Sequence, residues 1–281
     1  MSIQAAAKPF VEWVGRQSRS EDVITPRLVE SFKAIFAPNL HAVSDGVAPL
    51  GIHWCLSPAI VPMSQLGQDG HPAKTLTLPP VPLPRRMWAG GELNIRGEFR
   101  VGDHVSRMST IEDVTHKQGR SGDLWFVAVG HEYRTARGVA IRERHDIVYR
   151  EEAKPGSPAS ASPESPEMIA EGAWIVETPP TLLFRYSAIT FNGHRIHYDL
   201  PYATQVEGYE GLVVHGPIQA TLLLNLAASS SGSIPRRFTY RGLSPAIAGR
   251  AIAVRRGQGD AANSFWTEGA GRVRHMEASI A

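Results

Sequence analysis

A single cysteine, Cys55, stands in the 281 residues. It excludes an internal disulfide and a cysteine-based metal cluster, and it suits a reducing compartment. No segment approaches the run of about 18 apolar residues that a membrane helix needs. The opening MSIQAAAKPFVEWVGRQ also lacks a basic stretch followed by an uninterrupted apolar one, so a cytoplasmic protein off the membrane is expected. Charge of one sign is missing too: 29 Lys+Arg face 27 Asp+Glu, a formal +2 that is too little for a nucleic-acid partner. The pairs Arg85–Arg86, Arg236–Arg237 and Arg255–Arg256 make only small positive patches, of a size to hold an anionic ligand. Glycine is frequent but never in phosphate-loop or dinucleotide spacing. LGQDGHP at 66–72 has neither the lysine nor the preceding strand such a loop requires. There is no Gly-x-Ser-x-Gly elbow, and Cys55, although close to His53, has no base at a recognisable spacing.

What remains is a globular chain, 42% hydrophobic, long enough for two cores of roughly 100–150 residues each. Its likeliest seam is EEAKPGSPASASPESPEMIAEG at 151–172, where Pro, Ser, Ala and Glu displace strand-forming residues. That divides the chain into units at 1–150 and 173–281. In the first unit, FVEWVGRQ and ITPRLVESFKAIF read as helices, the second with Thr25 as cap and Pro26 at its first position. Proline-rich loops follow, then four β-rich stretches that predict a meander of long antiparallel strands: LNIRGEFRV, HVSRMSTIEDVTHKQ, DLWFVAVGHEYRTA and GVAIRERHDIVYRE. In the second unit, EGAWIVETPPTLLFRYSAIT reads as a strand approach and HGPIQATLLLNLAAS as a helix apolar nearly all round. Four short strands are expected after it. A helix of that kind must be buried, and a curved antiparallel sheet wrapped around it supplies the burial. The expected class is α+β.

Chemistry concentrates in RYSAITFNGHRIHYDL at 185–200 and GLVVHGPIQATLLLNLA at 211–227. Together they resemble the MaoC-like hydratase and dehydratase family, and most closely its two-domain branch of mesaconyl-C4-CoA or itaconyl-CoA hydratases and fungal-type mitochondrial 3-hydroxyacyl-thioester dehydratases. The resemblance implies a double hot-dog fold, the first unit being noncatalytic, and a hydro-lyase acting on acyl-CoA with no cofactor and no metal. A homo-oligomer, by preference a dimer, is expected because hot-dog sheets extend across subunit interfaces. The family pattern, of the kind Ser-Gly-Asp-x-Asn-Pro-x-His-x-Asp, puts the catalytic histidine on His197 and the following acid on Asp199. It also puts the family's asparagine on His194 and its catalytic aspartate on Asn192, and the His-Gly pair before the long helix on His215 and Gly216. The residue at 192 thus departs from the pattern.

Elementary chemistry leads to the same residues. Hydrating a double bond conjugated to a thioester needs a proton acceptor for water, a donor to the α-carbon and stabilisation of the enolate-like oxygen. His197 is poised near neutral pH, Asp199 is a candidate partner, and Asn192 cannot act as a base. Gly216 and Pro217 open a helix whose first amide and positive dipole end suit an oxyanion, with His215 beside it. Arg185, Arg195, Arg236, Arg237 and Arg255 are candidates for coenzyme A phosphates or a substrate carboxylate, with His194 in the same pocket. The substrate expected is itaconyl-CoA or mesaconyl-C4-CoA. A general 3-hydroxyacyl-thioester dehydratase and a noncatalytic thioester-binding protein, the latter suggested by Asn192, stand as alternatives.

Overall fold

In the computed structural model, residues 9–119, 122–151 and 173–281 are described. In chain order they form β1 (Gln17–Val23), α1 (Pro26–Phe36), α2 (Lys74–Thr77), β2 (Arg85–Ile95), β3 (His104–Gly119), β4 (Gly122–Thr135), β5 (Gly138–Arg150), β6 (Trp174–Val176), α3 (Pro180–Thr190), α4 (Gly216–Ser231), β7 (Arg237–Gly242), β8 (Ile252–Arg256), β9 (Ser264–Glu268) and β10 (Arg274–Ile280). The seam read at 151–172 lies, apart from Glu151, outside the described residues.

All ten strands make one antiparallel sheet in the order β1-β3-β4-β5-β2-β7-β10-β9-β8-β6, with β2 and β7 paired at its centre. The order read inward from either edge is first, third, fourth, fifth, second, so the two halves repeat one topology. This is a double hot-dog arrangement of the α+β class, its sheet open at both edges. The expected meander is β3-β4-β5. All four short C-terminal strands form.

Two local expectations fail. FVEWVGRQ yields a single 3-10 turn at Val11–Trp13 and then runs into β1, which pairs along its whole length with β3. The stretch after Trp174 gives only a three-residue strand before α3 begins at Pro180, so Leu183 and Tyr186 are core residues of a helix, not of a strand. Here proline at the first helical position outweighs the aromatic, β-like composition. The ITPRLVESFKAIF expectation holds, and Thr25 Oγ1 accepts from the Leu28 amide at 3.1 Å.

Helix α4 is buried on every side from Ile218 to Ala228 and packs on β7 to β10. Of its buried polar side chains Asn225 and Gln219 have partners, while Thr221 Oγ1 has none among the described residues. Asn225 donates to Leu50 O and Thr221 O and accepts from the His41 amide, while Thr267 Oγ1 donates to Gln219 Oε1 at 2.6 Å. The first half keeps α1, which packs against α3, but holds no helix of α4's length among the described residues. Helix α1 starts three residues after β1, and α3 starts four after β6. The same offset places the counterpart of α4 over roughly 63–78, a proline- and glycine-rich stretch of loops ending in α2.

Candidate active site

Helix α3 ends at Phe191, in the left-handed conformation, and the next residues form a tight loop. Asn192 Oδ1 accepts from the His194 amide at 3.0 Å, an Asx turn that shapes the backbone. A 3-10 turn at Arg195–His197 then points His197 inward, where it is 7% exposed. Its Nδ1 lies 2.6 Å from Val213 O. A carbonyl can only accept, so Nδ1 carries the hydrogen and the lone pair is on Nε2. Burial drives the His197 pKa down to about 3, against the Val213 carbonyl that favours the charged ring. At neutral pH the imidazole is therefore a proton acceptor of fixed tautomer.

The ring of His197 stacks on His215 with centroids 3.5 Å apart. His215 is the residue before α4, and its Nε2 meets Ser187 Oγ of α3 at 2.9 Å. The candidate base thus touches the start of the buried helix. The Gly216 amide has no acceptor among the described residues, as expected of a first-turn donor. A Cβ on Gly216 would come within 2.7 Å of Trp88 Cε3, so the glycine is needed for β2 to close over the helix start.

Asp199 is not the partner of His197. Its carboxylate is taken by Arg195, at 2.7 and 2.9 Å, and by the Tyr202 amide at 3.1 Å; these contacts hold the acid below the usual carboxylate range. It is a local cap. Arg195, read as a substrate-binding residue, also donates to Gln68 O and lies 4.1 Å over the Tyr202 ring, so it is spent on the architecture. Among the other arginines, Arg185 is exposed on α3 and Arg236 is exposed beside β7. Arg237 pairs with Glu92 at 2.7 Å and Arg255 with Glu268 at 2.5 Å.

A loop from the other half closes the site instead. Asp69 O accepts from the Arg195 amide at 2.9 Å. Gly70, at φ +85°, lies against Gly193 so closely that a side chain on either would strike the other's backbone. This brings His71 against His194, ring centroids 4.1 Å apart, and His194 lies 5.3 Å from His197. Four imidazoles, His71, His194, His197 and His215, therefore run in a row. Asp69 Oδ1 and Oδ2 accept from the amide and ring Nδ1 of His71, each at 3.0 Å. Asp69, His71 and His194 place ligand-type atoms within 4.8 Å of one another. Burial and the Arg86 guanidinium bring the His71 pKa down to about 4, opposed by Asp69, and burial lowers His194 and His215 well below the usual value.

The loop also borders a cleft of about 820 Å³, open mouth included, lined by Gln68, Asp69, Lys74, Arg86, Tyr149 and Tyr202. Arg86 is half-buried and has no carboxylate within ion-pair distance among the described residues, whereas its neighbour Arg85 is paired with Glu207 at 2.8 Å.

Residues 51–248 match a family described as hydroxyacyl-thioester dehydratase type 2, which is most of the chain. The chain belongs to that family. Over 237 residues, 84% of both chains, this type 2 dehydratase homologue is 39% identical to a mesaconyl-C(4)-CoA hydratase of Chloroflexus aurantiacus. Over 125 residues, 43% of this chain and 41% of the other, it is 30% identical to a mitochondrial hydroxyacyl-thioester dehydratase type 2 of Schizosaccharomyces pombe. In fold it is similar to HtdX of Mycobacterium tuberculosis, with a TM-score of 0.63 at 16% identity over 94% of this chain and 99% of that one. It is a MaoC-like hot-dog hydratase/dehydratase acting on acyl-CoA thioesters. No helix among the described residues is long and apolar enough to cross a membrane.

Sequence reasoning missed Asp69, His71, Trp88 and Ser187, and it noted Arg86 only within a small positive patch of a size to hold an anionic ligand. The signal for the first two was present in LGQDGHP, an Asp two residues before a His around a glycine, but the string was weighed only as a phosphate loop. Ser187 was hidden by the misread α3.

Proposed function

We propose that the protein adds water reversibly across the double bond of a short dicarboxylic enoyl-CoA of the mesaconyl-C4 or itaconyl type. The observation that carries the hydratase chemistry is the placement of a tautomer-fixed, neutral His197 in stacking contact with the residue that opens α4. In that arrangement His197 Nε2 accepts a hydrogen of the reacting water, and the Gly216 amide with the helix dipole faces the thioester oxygen as charge develops on it. The N-terminal unit is not a bystander in this reading, since Trp88 lies against Gly216 and the 66–72 loop docks at Gly193.

The dicarboxylic substrate is supported by the name of the Chloroflexus relative and by Arg86. The half-buried Arg86 guanidinium borders the cleft beside Tyr149 and Asp69 but has no carboxylate in ion-pair contact among the described residues, a place that a substrate carboxylate would fill. Arg86 takes the place that sequence reasoning assigned to Arg195. Loss of conjugated-thioester absorbance with mesaconyl-C4-CoA, itaconyl-CoA and crotonyl-CoA tests the assignment. The charged substrates are expected to have kcat/KM at least about tenfold higher, equivalent to about 1.4 kcal/mol in the transition state. Arg86→Met should shrink the ratio while sparing crotonyl-CoA. Equal rates on charged and uncharged thioesters in the parent would favour a general 3-hydroxyacyl-thioester dehydratase, the activity in the name of the Schizosaccharomyces relative.

A further inference from the structure

Position 192 holds an amide where the resemblance expects a carboxylate, and Asn192 Oδ1 is already used to turn the backbone at His194. The nearest acid in sequence, Asp199, is held by Arg195. If water is to lose a proton here, the group that receives it must come from elsewhere, and it must be able to carry a positive charge in a buried place.

His197 alone is poorly suited to that. Its Nδ1 faces a peptide carbonyl, and its ring is stacked on His215, so a charge formed on it would be stabilised by one neutral dipole. His71 has an ionised carboxylate instead. Asp69 Oδ2 receives the Nδ1 hydrogen, which leaves the lone pair on Nε2, and Nε2 has no hydrogen-bond partner among the described residues. Burial would raise the Asp69 carboxyl, but the His71 ring and backbone contacts and Arg86 hold it below its ordinary value. The same carboxylate also grips the His71 amide, so the ring is held in place from two directions. The whole loop is pinned to the catalytic segment by the Asp69 O and Gln68 O contacts to Arg195 and by the facing glycines. Other polar atoms also remain without a partner in this space, among them Nδ1 of His215 and Nε2 of His194, which is 5% exposed and sits between the two rings.

The geometry points to His71 as the general base of the reaction, oriented by Asp69 as a positioning residue, so that the catalytic centre is assembled from both halves of the sheet. This rests on the hydratase reading above and adds a residue to it. As the water oxygen bonds to the β-carbon, one water proton passes to His71 Nε2 and the π electrons move toward the thioester oxygen. When that enolate collapses, the proton on Nε2 is delivered to the α-carbon, which returns His71 to its neutral form. The other hydrogen of the water stays on the new hydroxyl, having been oriented by His197 Nε2. One water is consumed and no other reactant is needed.

The test uses the full chain with mesaconyl-C4-CoA and crotonyl-CoA as reacting probes and butyryl-CoA as an unreactive one. His71→Gln keeps a polar side chain beside Asp69 but cannot take a proton. It should lose about 100-fold or more in kcat, while Tm and butyryl-CoA affinity stay close to the parent's. His71→Ala should be rescued at least tenfold by added imidazole, which a purely structural role would not allow. Asp69→Asn should lower kcat with little change in KM and shift the pH profile set by His71 among Asp69, Arg86, His194 and His197. A folded His71→Gln protein with more than a tenth of parent kcat, or an unrescued but folded His71→Ala, overturns the proposal. So does loss of parent activity to a chelator with recovery on adding Zn2+, which would make Asp69, His71 and His194 a metal site. Should both His71 variants fail to fold, full activity of Asp69→Asn overturns it and the kcat-selective loss supports it. A parent that hydrates neither probe removes the functional reading and this inference with it. A parent that hydrates while His71→Gln does so equally well removes this inference alone.

Discussion

Lowering the pH from 7.5 to 5.5 is expected to destabilise this protein severely, through its row of buried histidines. His71 and His197 have pKa values brought down to about 4 and about 3, and His194 and His215 lie well below the ordinary 6.5, burial being the largest cause in each case. A depressed histidine favours the neutral form in the folded state. Its contribution to stability is complete above the unfolded pKa near 6.5. It is lost as pH falls below that value, because the unfolded chain takes up a proton that the folded chain refuses. Each such ring changes stability by about 1.4 kcal/mol per pH unit once the unfolded form is fully protonated. Integrated from pH 7.5 to 5.5, one ring costs about 1.4 kcal/mol and four cost about 5 kcal/mol. A folded domain has roughly 5–15 kcal/mol in total, so the row alone can bring the protein to the edge of unfolding. His131 and His275, depressed in the same direction, add to the slope.

The window isolates histidines, since carboxylates titrate lower. Urea unfolding at pH 7.5, 6.5 and 5.5 measures the loss, and the double variant His194→Gln/His215→Gln should remove about half of the contribution of the row. A total loss below about 1.4 kcal/mol, the share of a single ring, would show that the row accepts protons in the folded state. That would refute the reading of these rings as neutral acceptors.

Three further perturbations separate chemistry from architecture. His197→Ala should lose about 100-fold or more in turnover with its fold kept, and more than a tenth of parent activity would remove it from the reaction. Asp199→Asn, by contrast, should chiefly lower Tm, since the acid serves Arg195 and the Tyr202 amide; a loss in kcat comparable to that of His197→Ala would contradict this. Gly70→Ala must drive the 66–72 loop off Gly193, because a Cβ there meets backbone at a left-handed φ, a conformation that alone costs about 1–3 kcal/mol for a side-chain-bearing residue. Turnover should fall at least about tenfold while urea stability falls by no more than about 1–3 kcal/mol, and unchanged kinetics would show that the loop has no part in the site.

How much of this could be read from sequence depended on how local each feature is. The strands β3, β4 and β5 are long enough for alternation to declare itself, and α4 is apolar over so many turns that only burial explains it. Helix α1 carries its own cap in Thr25 and Pro26. His197, His215 and Gly216 were found because they sit in two short strings whose composition suits one reaction. Asp199 and Arg195 were misassigned for a physical reason: residues four apart in a tight turn pair with each other, and proximity in sequence to a catalytic histidine says nothing about direction. Asp69 and His71 lie more than a hundred residues from His197, and only the fold brings them within reach. No pattern inside one segment could have ranked Arg86, half-buried at the edge of the cleft, above Arg195.

The repeated topology explains why a loop could take on such a task. Both halves follow the same strand order, and the intervals between their first and second strands, 24–84 and 177–236, are nearly equal in length. In the second half that interval is filled by α3 and then by α4, which buries itself against its own sheet. In the first half the stretch corresponding to α4 carries Gly67, Gly70 and Pro72 in its interior, residues that work against a buried helix of that length. Its end still packs on its own sheet through Leu78 and Lys74, but its middle crosses to the other half and docks backbone to backbone at Gly70 and Gly193. Two helix-bearing halves would each keep their histidines to themselves. A half without such a helix can instead lend an acid–imidazole pair to a partner that carries Asn192 where a carboxylate is expected, so the loop at 66–72 and the amide at 192 are complementary features of one site.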